Sequence, residues 1–230
     1  MTTGTPDSAP KLARIHAWIG VWLAVVLVFH VWEGWAALYG REAHGARVAA
    51  TSLRGVGLVA SIVLVLLPFA AHAAIGVFLA ARPRGTEAGA YASRGVRHLH
   101  VAAGITTLAF LVFHVGHAWI PGLGAGATML PYEALWVDLG KPAVLGVYLV
   151  GLTAAIFHLS QGLGAAAVTL GVARTPGSAR SARMLSAVFA IVLWFFYLNV
   201  LTHFARGEAL LLAPAPPPAA PSASPAPDGE

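Results

Sequence analysis

Four histidines interrupt the most apolar parts of this sequence: His30, His72, His114 and His158. Ionisable side chains in such surroundings are costly and mark function by default. A buried imidazole can ligate a metal through a ring nitrogen, or it can hydrogen-bond to a neighbouring helix. The spacing here is regular, at 42, 42 and 44 residues. Three of the four are followed four residues on by glycine (Gly34, Gly76 and Gly162), and the last, His114, by Ala118. Residues four apart share a helix face, so a small side chain there leaves room beside each imidazole for the edge of a porphyrin. Two histidines at one depth on facing helices can ligate a haem iron from both sides. Such an iron has no open position, which favours electron transfer over oxygen chemistry. Proton pumping would call for Asp or Glu inside these runs, and they hold almost none.

The elements that must carry these histidines follow from composition. Hydrophobic residues make up 58% of the 230-residue chain and charged residues 10%, against about 25% charged in soluble domains. The apolar residues fall into five blocks, roughly 15–39, 55–81, 98–120, 142–172 and 184–205. Each exceeds the ~18 residues that mark a bilayer-crossing helix. Backbone groups in hydrocarbon need internal partners, so the sequence predicts an all-α, polytopic membrane protein with a five-helix bundle. The short alternating segments of a β-barrel are missing. The first block is too long, and lacks the small-residue cleavage site, for a signal peptide. Residues 1–11 read as a polar arm, 12–206 as the membrane domain, and 207–230 as a Pro/Ala-rich tail that should be disordered.

With no cysteine, Cys-ligated iron–sulfur clusters and covalently attached c-type haem are excluded. No glycine-rich dinucleotide fingerprint follows a strand. Any such cofactors would belong to partner proteins. The net charge of +5 is not a nucleic-acid patch, because the basic residues flank the helices. Nine lie on the side of Lys11, Arg14, Arg94 and Arg183, and five on the side of Arg41, Arg47, Arg54, Lys141 and Arg206. By the positive-inside rule the N-terminus is cytoplasmic and the tail outside.

Helical rise then sets depth. From the outer ends, His30 and His114 lie about 16 and 10 Å in, and His72 and His158 about 27 and 26 Å. Helices one and three thus supply an outer layer, and helices two and four an inner one. From the inner ends the fourth block disagrees, being over-long, and is expected to project into the cytoplasm. A second pairing is also open. His16 and His30 are 14 residues apart, as are His100 and His114, so each pair shares a face about 21 Å apart. Helices one and three alone could then hold both haems, an arrangement that resembles cytochrome b of the quinol–cytochrome c reductases. It leaves His72 and His158 unexplained. Otherwise His16, His98 and His100 either sit near the inner haem's propionates or are simply solvated. His117 competes with His114 as a ligand. His44 reads as a loop residue and His203 as lying near a helix end, neither with a role. Trp32, Trp35, Trp119 and Trp136 read as an interfacial aromatic belt.

An internal repeat favours the four-helix pairing. "RIHAWIGVWLAVVLVFHV" (14–31) aligns with "HLHVAAGITTLAFLVFHV" (98–115), matching His16 with His100, Gly20 with Gly104, and His30 with His114. More weakly, the second block matches the fourth, His72 with His158 and Gly76 with Gly162. Membrane proteins are often built from such repeats, and this one selects His114 over His117.

The stretches "ARIHAWIGV", "LLPFAAHAAIGVFLA", "GITTLAFLVFHV" and "YLVGLTAAIFHLSQGL", with "ARTP" after the last, resemble the dihaem cytochrome b subunit of succinate dehydrogenases and fumarate reductases, in its single-chain five-helix form. The resemblance covers roughly residues 12–205. It implies two b haems, ligated by His30 with His114 and by His72 with His158. It implies a flavoprotein and an iron–sulfur protein on the cytoplasmic face of the inner membrane, a quinone (commonly menaquinone) as redox partner, and scope for a higher oligomer of the complex. Some relatives carry a proton-conducting glutamate two residues before the fourth-helix histidine; here that residue is Ile156. Glu33 is the best-placed acid for proton exchange with quinone, against the plainer reading that it pairs with an outer-face arginine. Two other readings are the cytochrome b of another quinone-linked enzyme, of hydrogenase or formate dehydrogenase type, and a haem-free anchor or transporter.

Overall fold

The computed structural model describes residues 8–50, 56–81, 91–121 and 131–210. Every regular element among them is helical. Five helices are long and apolar enough to cross a membrane: Lys11–Tyr39, Val56–Ala81, Arg94–Ala118, Pro142–Thr169 and Pro176–Arg206. The polytopic all-α architecture expected from the sequence is therefore present. Most of the disordered-tail expectation, and the start of the polar arm, fall outside the described residues.

The helix ends differ from the apolar blocks for local reasons. The fifth span starts at Pro176, well before its apolar run, because Thr175 caps it. The Thr175 hydroxyl accepts from the Ser178 amide at 3.1 Å, and the Ser178 hydroxyl accepts from the Thr175 amide at 3.0 Å. This reciprocal arrangement satisfies two donors that a helix start leaves bare. The third span starts at Arg94 because the Ser93 hydroxyl accepts from the Val96 amide at 3.2 Å. The over-long fourth block stops at Thr169, and Gly171 (φ 77°) turns the chain toward Thr175. Gly207 (φ 83°) closes the fifth span, its amide donating to the His203 carbonyl. Inside the spans, the hydroxyls of Thr106, Thr107 and Ser186 donate back to carbonyls four residues earlier, so lipid need not solvate these three hydroxyls.

Side chains such as Val112, Leu185 and Val188 remain outward and exposed, as suits surfaces that lipid covers. Between helices, packing rather than water expulsion holds the bundle, so small residues mark the contacts. Gly164 lets the fifth span approach until an added Cβ would stand 2.9 Å from Cγ of Arg183. Ala165, Ala166, Ala179 and Ala190 are buried. One core joins Phe110, Tyr148, Leu152, Leu201 and Phe204, and another joins Val31, Ile156, Ala190 and Leu193. Trp194 Nε1–H donates to the Thr153 hydroxyl at 3.2 Å, tying the fifth span to the fourth.

The second span has no buried residue. It packs against the first, where Trp22 Nε1–H donates to the Leu64 carbonyl at 2.7 Å. Leu64 lies in a π-helical turn, Ile62–Leu66. A second π-helical turn, Val115–Trp119, follows His114 directly in the third span. Such widened turns are rare and cluster at functional positions.

Two short helices, Arg41–Ala50 and Tyr132–Leu139, cover the same end of the bundle. Arg41 pairs with Glu133 at 2.6 Å. His44, expected in a loop, lies in the first of these helices and is 1% exposed, ringed by Tyr132 and Phe204. The stretch is too polar to register as an apolar block, yet His44 on it is buried. His203 accepts from, or donates to, the Tyr132 hydroxyl at 2.8 Å. Tyr132 and Trp136 pack on Phe204 beside it.

Candidate functional site

The first four spans bring their histidines into two clusters. In one, His72 of the second span faces His158 of the fourth, with ring centres 6.1 Å apart and planes at 87°. His16 stacks on His72 at 3.8 Å, and His100 stacks on His158 at 4.2 Å. In the other, His30 of the first span faces His114 of the third at 5.8 Å and 74°. Among the described residues no ring contact joins His16 to His100.

Glycines make the first cluster possible. A Cβ added to Gly20 would stand 3.1 Å from Cε1 of His72, and one on Gly76 would stand 3.0 Å from Cε1 of His16. The other half repeats the pattern. A Cβ on Gly104 would meet His158 at 2.8 Å, and one on Gly162 would meet His100 at 3.6 Å. In each half a histidine of one helix rests on the glycine of its partner helix, reciprocally. The internal repeat therefore reappears as a repeat of contacts. Gly34 has open space beside it, with nothing within 4 Å of an added Cβ.

The hydrogen-bond state of these rings bears on what they could hold. His158 Nδ1–H donates to the His100 carbonyl at 3.2 Å, which leaves its Nε2 with a free lone pair. Nδ1 of His16, His72 and His100 is buried with no hydrogen-bond partner among the described residues. Buried polar atoms are nearly always satisfied, so each exception asks for an explanation. His100 is buried and His98 exposed, so the solvated reading fails for His100. The cause is the stack on His158, together with Tyr91 at 5.3 Å.

Ligand geometry separates facing pairs from stacked ones. A metal–imidazole bond is about 2.0–2.1 Å, so rings ligating one ion from opposite sides stand about 6 Å apart, centre to centre. The His72–His158 and His30–His114 separations fit this. The stacked pairs at 3.8 and 4.2 Å are too close for any atom between them. Among the described residues no three His, Asp or Glu side chains converge as a bare-metal site would need. These donors fit a cofactor that carries its own equatorial ligands and takes two axial imidazoles, as haem does.

The second cluster is polar where the first is close-packed. The Tyr148 hydroxyl lies 3.2 Å from Nδ1 of His114 and 3.2 Å from Nδ1 of His117. His117 Nε2 lies 3.2 Å from Oδ2 of Asp138, whose Oδ1 accepts from Lys141 Nζ at 2.6 Å. The Lys141 hydrogen bond holds the Asp138 carboxyl below the usual carboxylate range. Tyr148 and Asp138 were not singled out from the sequence, and neither were the contacts of Gly20 and Gly104. For the glycines a signal existed, because each lies four residues after His16 or His100.

Glu33 is half-buried, and the Arg47 guanidinium lies 3.8 Å over the ring of the neighbouring Trp32. Of the aromatic belt, Trp32 and Trp136 are exposed, and Trp35 packs on Phe196.

These features define a class: a multi-pass helical membrane protein whose first four spans carry two facing imidazole pairs. The chain is similar to the succinate dehydrogenase cytochrome b558 subunit of Bacillus subtilis (strain 168), 29% identical over 194 residues, 83% of this chain and 95% of the relative. This bears out the resemblance to succinate dehydrogenase cytochrome b membrane subunits. No protein-family model matches the chain, and no solved structure does.

Proposed function

We propose that this chain is the membrane-anchor cytochrome b subunit of a succinate:quinone oxidoreductase. It holds two b haems, one between His30 and His114 and one between His72 and His158. The observation that carries this reading is the pair of facing imidazole separations, 5.8 and 6.1 Å, on the first four spans. When bound, each bis-histidine haem supplies a one-electron carrier with no open coordination position. The chain's residues orient the imidazoles, and lipid and helix packing keep water from them. Gly20 and Gly104 let His72 and His158 approach the neighbouring helices, Gly76 and Gly162 do the same for His16 and His100, and Gly34 leaves open space in its wall. His16 and His100 stack on the inner pair and would be the residues to meet the carboxylates of a haem held there.

The anchor passes electrons from an iron–sulfur subunit, fed by a succinate-oxidising flavoprotein, to a membrane quinone, of which menaquinone is the expected type. Both soluble partners dock on the cytoplasmic face of the inner membrane. The N-terminus lies on that face and the Pro-rich tail outside, with His30 and His114 forming the outer site. The membrane domain spans 12–206, between the short arm and the tail.

Haem b per chain, measured by pyridine haemochrome on the purified complex, tests this reading. Two haems in the wild type and about one in His72→Ala are expected. Two in both would move the ligands to His16, His30, His100 and His114. No haem in folded wild type would sink the electron-transfer function.

A further inference from the structure

The second cluster contains more polar machinery than an axial pair requires. Tyr148 is 6% exposed, and Phe110 and Phe113 meet its ring edge-on at 5.4 and 5.9 Å. A hydroxyl buried this way costs stability unless it is hydrogen-bonded. It has two candidate partners, and both are ring nitrogens of the third span, His114 Nδ1 and His117 Nδ1. The π-helical turn Val115–Trp119 begins immediately after His114 and carries His117, so both rings reach one oxygen.

Donor and acceptor rules give this chain a direction. Asp138, ionised beside Lys141 Nζ at 2.6 Å, can only accept. His117 must therefore carry its proton on Nε2 and donate to Asp138 Oδ2. A His117 that carries only this proton has a lone pair on Nδ1, which accepts from the Tyr148 O–H. The one Tyr148 proton is thereby used, so toward His114 the phenol oxygen accepts, and His114 Nδ1 donates. In that tautomer the free lone pair of His114 is on Nε2.

We propose that Tyr148 is the positioning residue of His114, fixing its ring orientation and tautomer as the last member of an Asp138–His117–Tyr148–His114 hydrogen-bond chain. His117 is the link that holds Tyr148, not a ligand, because both of its nitrogens are engaged. This rests on the haem reading of the facing pairs. An outer hydrogen bond of this kind makes a ligating imidazole more basic, and a more basic ligand favours ferric iron. Asp138 and Lys141 sit at the end of the third and fourth spans, so the chain links a surface ion pair to the ligand of one site alone.

The test is a redox titration of the full-length chain in its complex, with low-spin EPR of each haem. The variants are Tyr148→Phe, which removes one oxygen and keeps the ring, and Asp138→Asn, which leaves Tyr148 in place. A net hydrogen bond of about 1 kcal/mol predicts a roughly fivefold shift of one haem toward ferrous in Tyr148→Phe. A tenfold shift would read as 59 mV for one electron. The EPR signature of that haem should change, and the other haem should keep its potential and signature. Asp138→Asn should shift the same haem in the same direction, by less. Loss of that haem alone in Tyr148→Phe, together with the Asp138→Asn shift, supports the assignment equally. Two haems with unchanged potentials and spectra in Tyr148→Phe would overturn it and leave the haem reading intact. Loss of one haem in His117→Gln but not in His114→Ala would make His117 the ligand. No haem in wild type would remove both readings together.

Discussion

The two histidine clusters reach nearly the same facing separation, 6.1 and 5.8 Å, by opposite means. Around His72 and His158 the walls are glycine, the neighbouring rings are stacked imidazoles, and the His158 Nδ1–H meets a backbone carbonyl. Around His30 and His114 the orienting groups are side chains, a phenol, a second imidazole and a carboxylate. In the first cluster, position comes from lack of space; in the second, from hydrogen-bond direction. The first is symmetric between the two halves of the repeat and the second is not, because among the described residues no hydroxyl is hydrogen-bonded to His30 as Tyr148 is to His114. Steric positioning should fail abruptly when volume is added. Hydrogen-bonded positioning should respond gradually, through electronics rather than occupancy.

The largest break in this contrast is expected from Gly104→Ala. The new Cβ would lie 2.8 Å from Cε1 and 2.9 Å from Nδ1 of His158. That ring has little freedom to retreat, since its Nδ1–H holds the His100 carbonyl and its face lies on His100 at 4.2 Å. Overpacking of this kind costs about 1–3 kcal/mol. Haem content of the purified protein should fall from two toward one, with the His30–His114 site unaffected. Gly20→Ala should do less, since its Cβ at 3.1 Å needs the His72 ring to give only slightly. Gly162→Ala, at 3.6 Å from His100, makes an ordinary contact and should keep both haems. If all three variants behaved alike, the idea that space positions this cluster would be lost.

The same contrast explains how much could be read from the sequence. The five spans were legible because bilayer thickness acts on the length and hydropathy of a contiguous run. The ends were less so, since caps such as Thr175 and Ser178 extend a helix through polar residues. The facing of His72 with His158 and of His30 with His114 was legible because the repeat and the helical rise set depth without reference to side-chain packing. The i+4 rule, applied only after the four midmembrane histidines, found Gly76 and Gly162 but passed over Gly20 and Gly104. The steric cluster was thus half visible, since it is written in local spacing. The hydrogen-bonded cluster was invisible. Tyr148 meets His114 and His117 across 34 and 31 residues, and the meeting depends on how the third and fourth spans cross and on a π-helical turn. A buried tyrosine on an apolar helix has no periodic signature. His44 failed differently, because its helix is too polar on average to register, though His44 itself is buried.

A smaller effect separates charge from hydrogen-bond direction in the second cluster. Lys141→Gln removes the cation beside Asp138 but leaves the Asp138–His117–Tyr148 chain in place. Lys141 is 57% exposed on its side chain, and exposed ion pairs contribute about 0–1 kcal/mol. The variant should therefore keep both haems. Its effect is on the carboxylate: without Lys141, the Asp138 pKa should rise toward its ordinary value of 3.8. A group whose folded pKa is depressed lends stability above its unfolded pKa and loses it as pH falls through the folded one. Thermal stability of wild type and Lys141→Gln should thus differ slightly at neutral pH and converge in acid, below the depressed value. The redox titration should show a shift well below that of Tyr148→Phe. If Lys141→Gln moved the haem potential as far as Tyr148→Phe, the His114 environment would be set by net charge near the membrane surface. The two clusters would then differ in electrostatics, not in how they hold their rings.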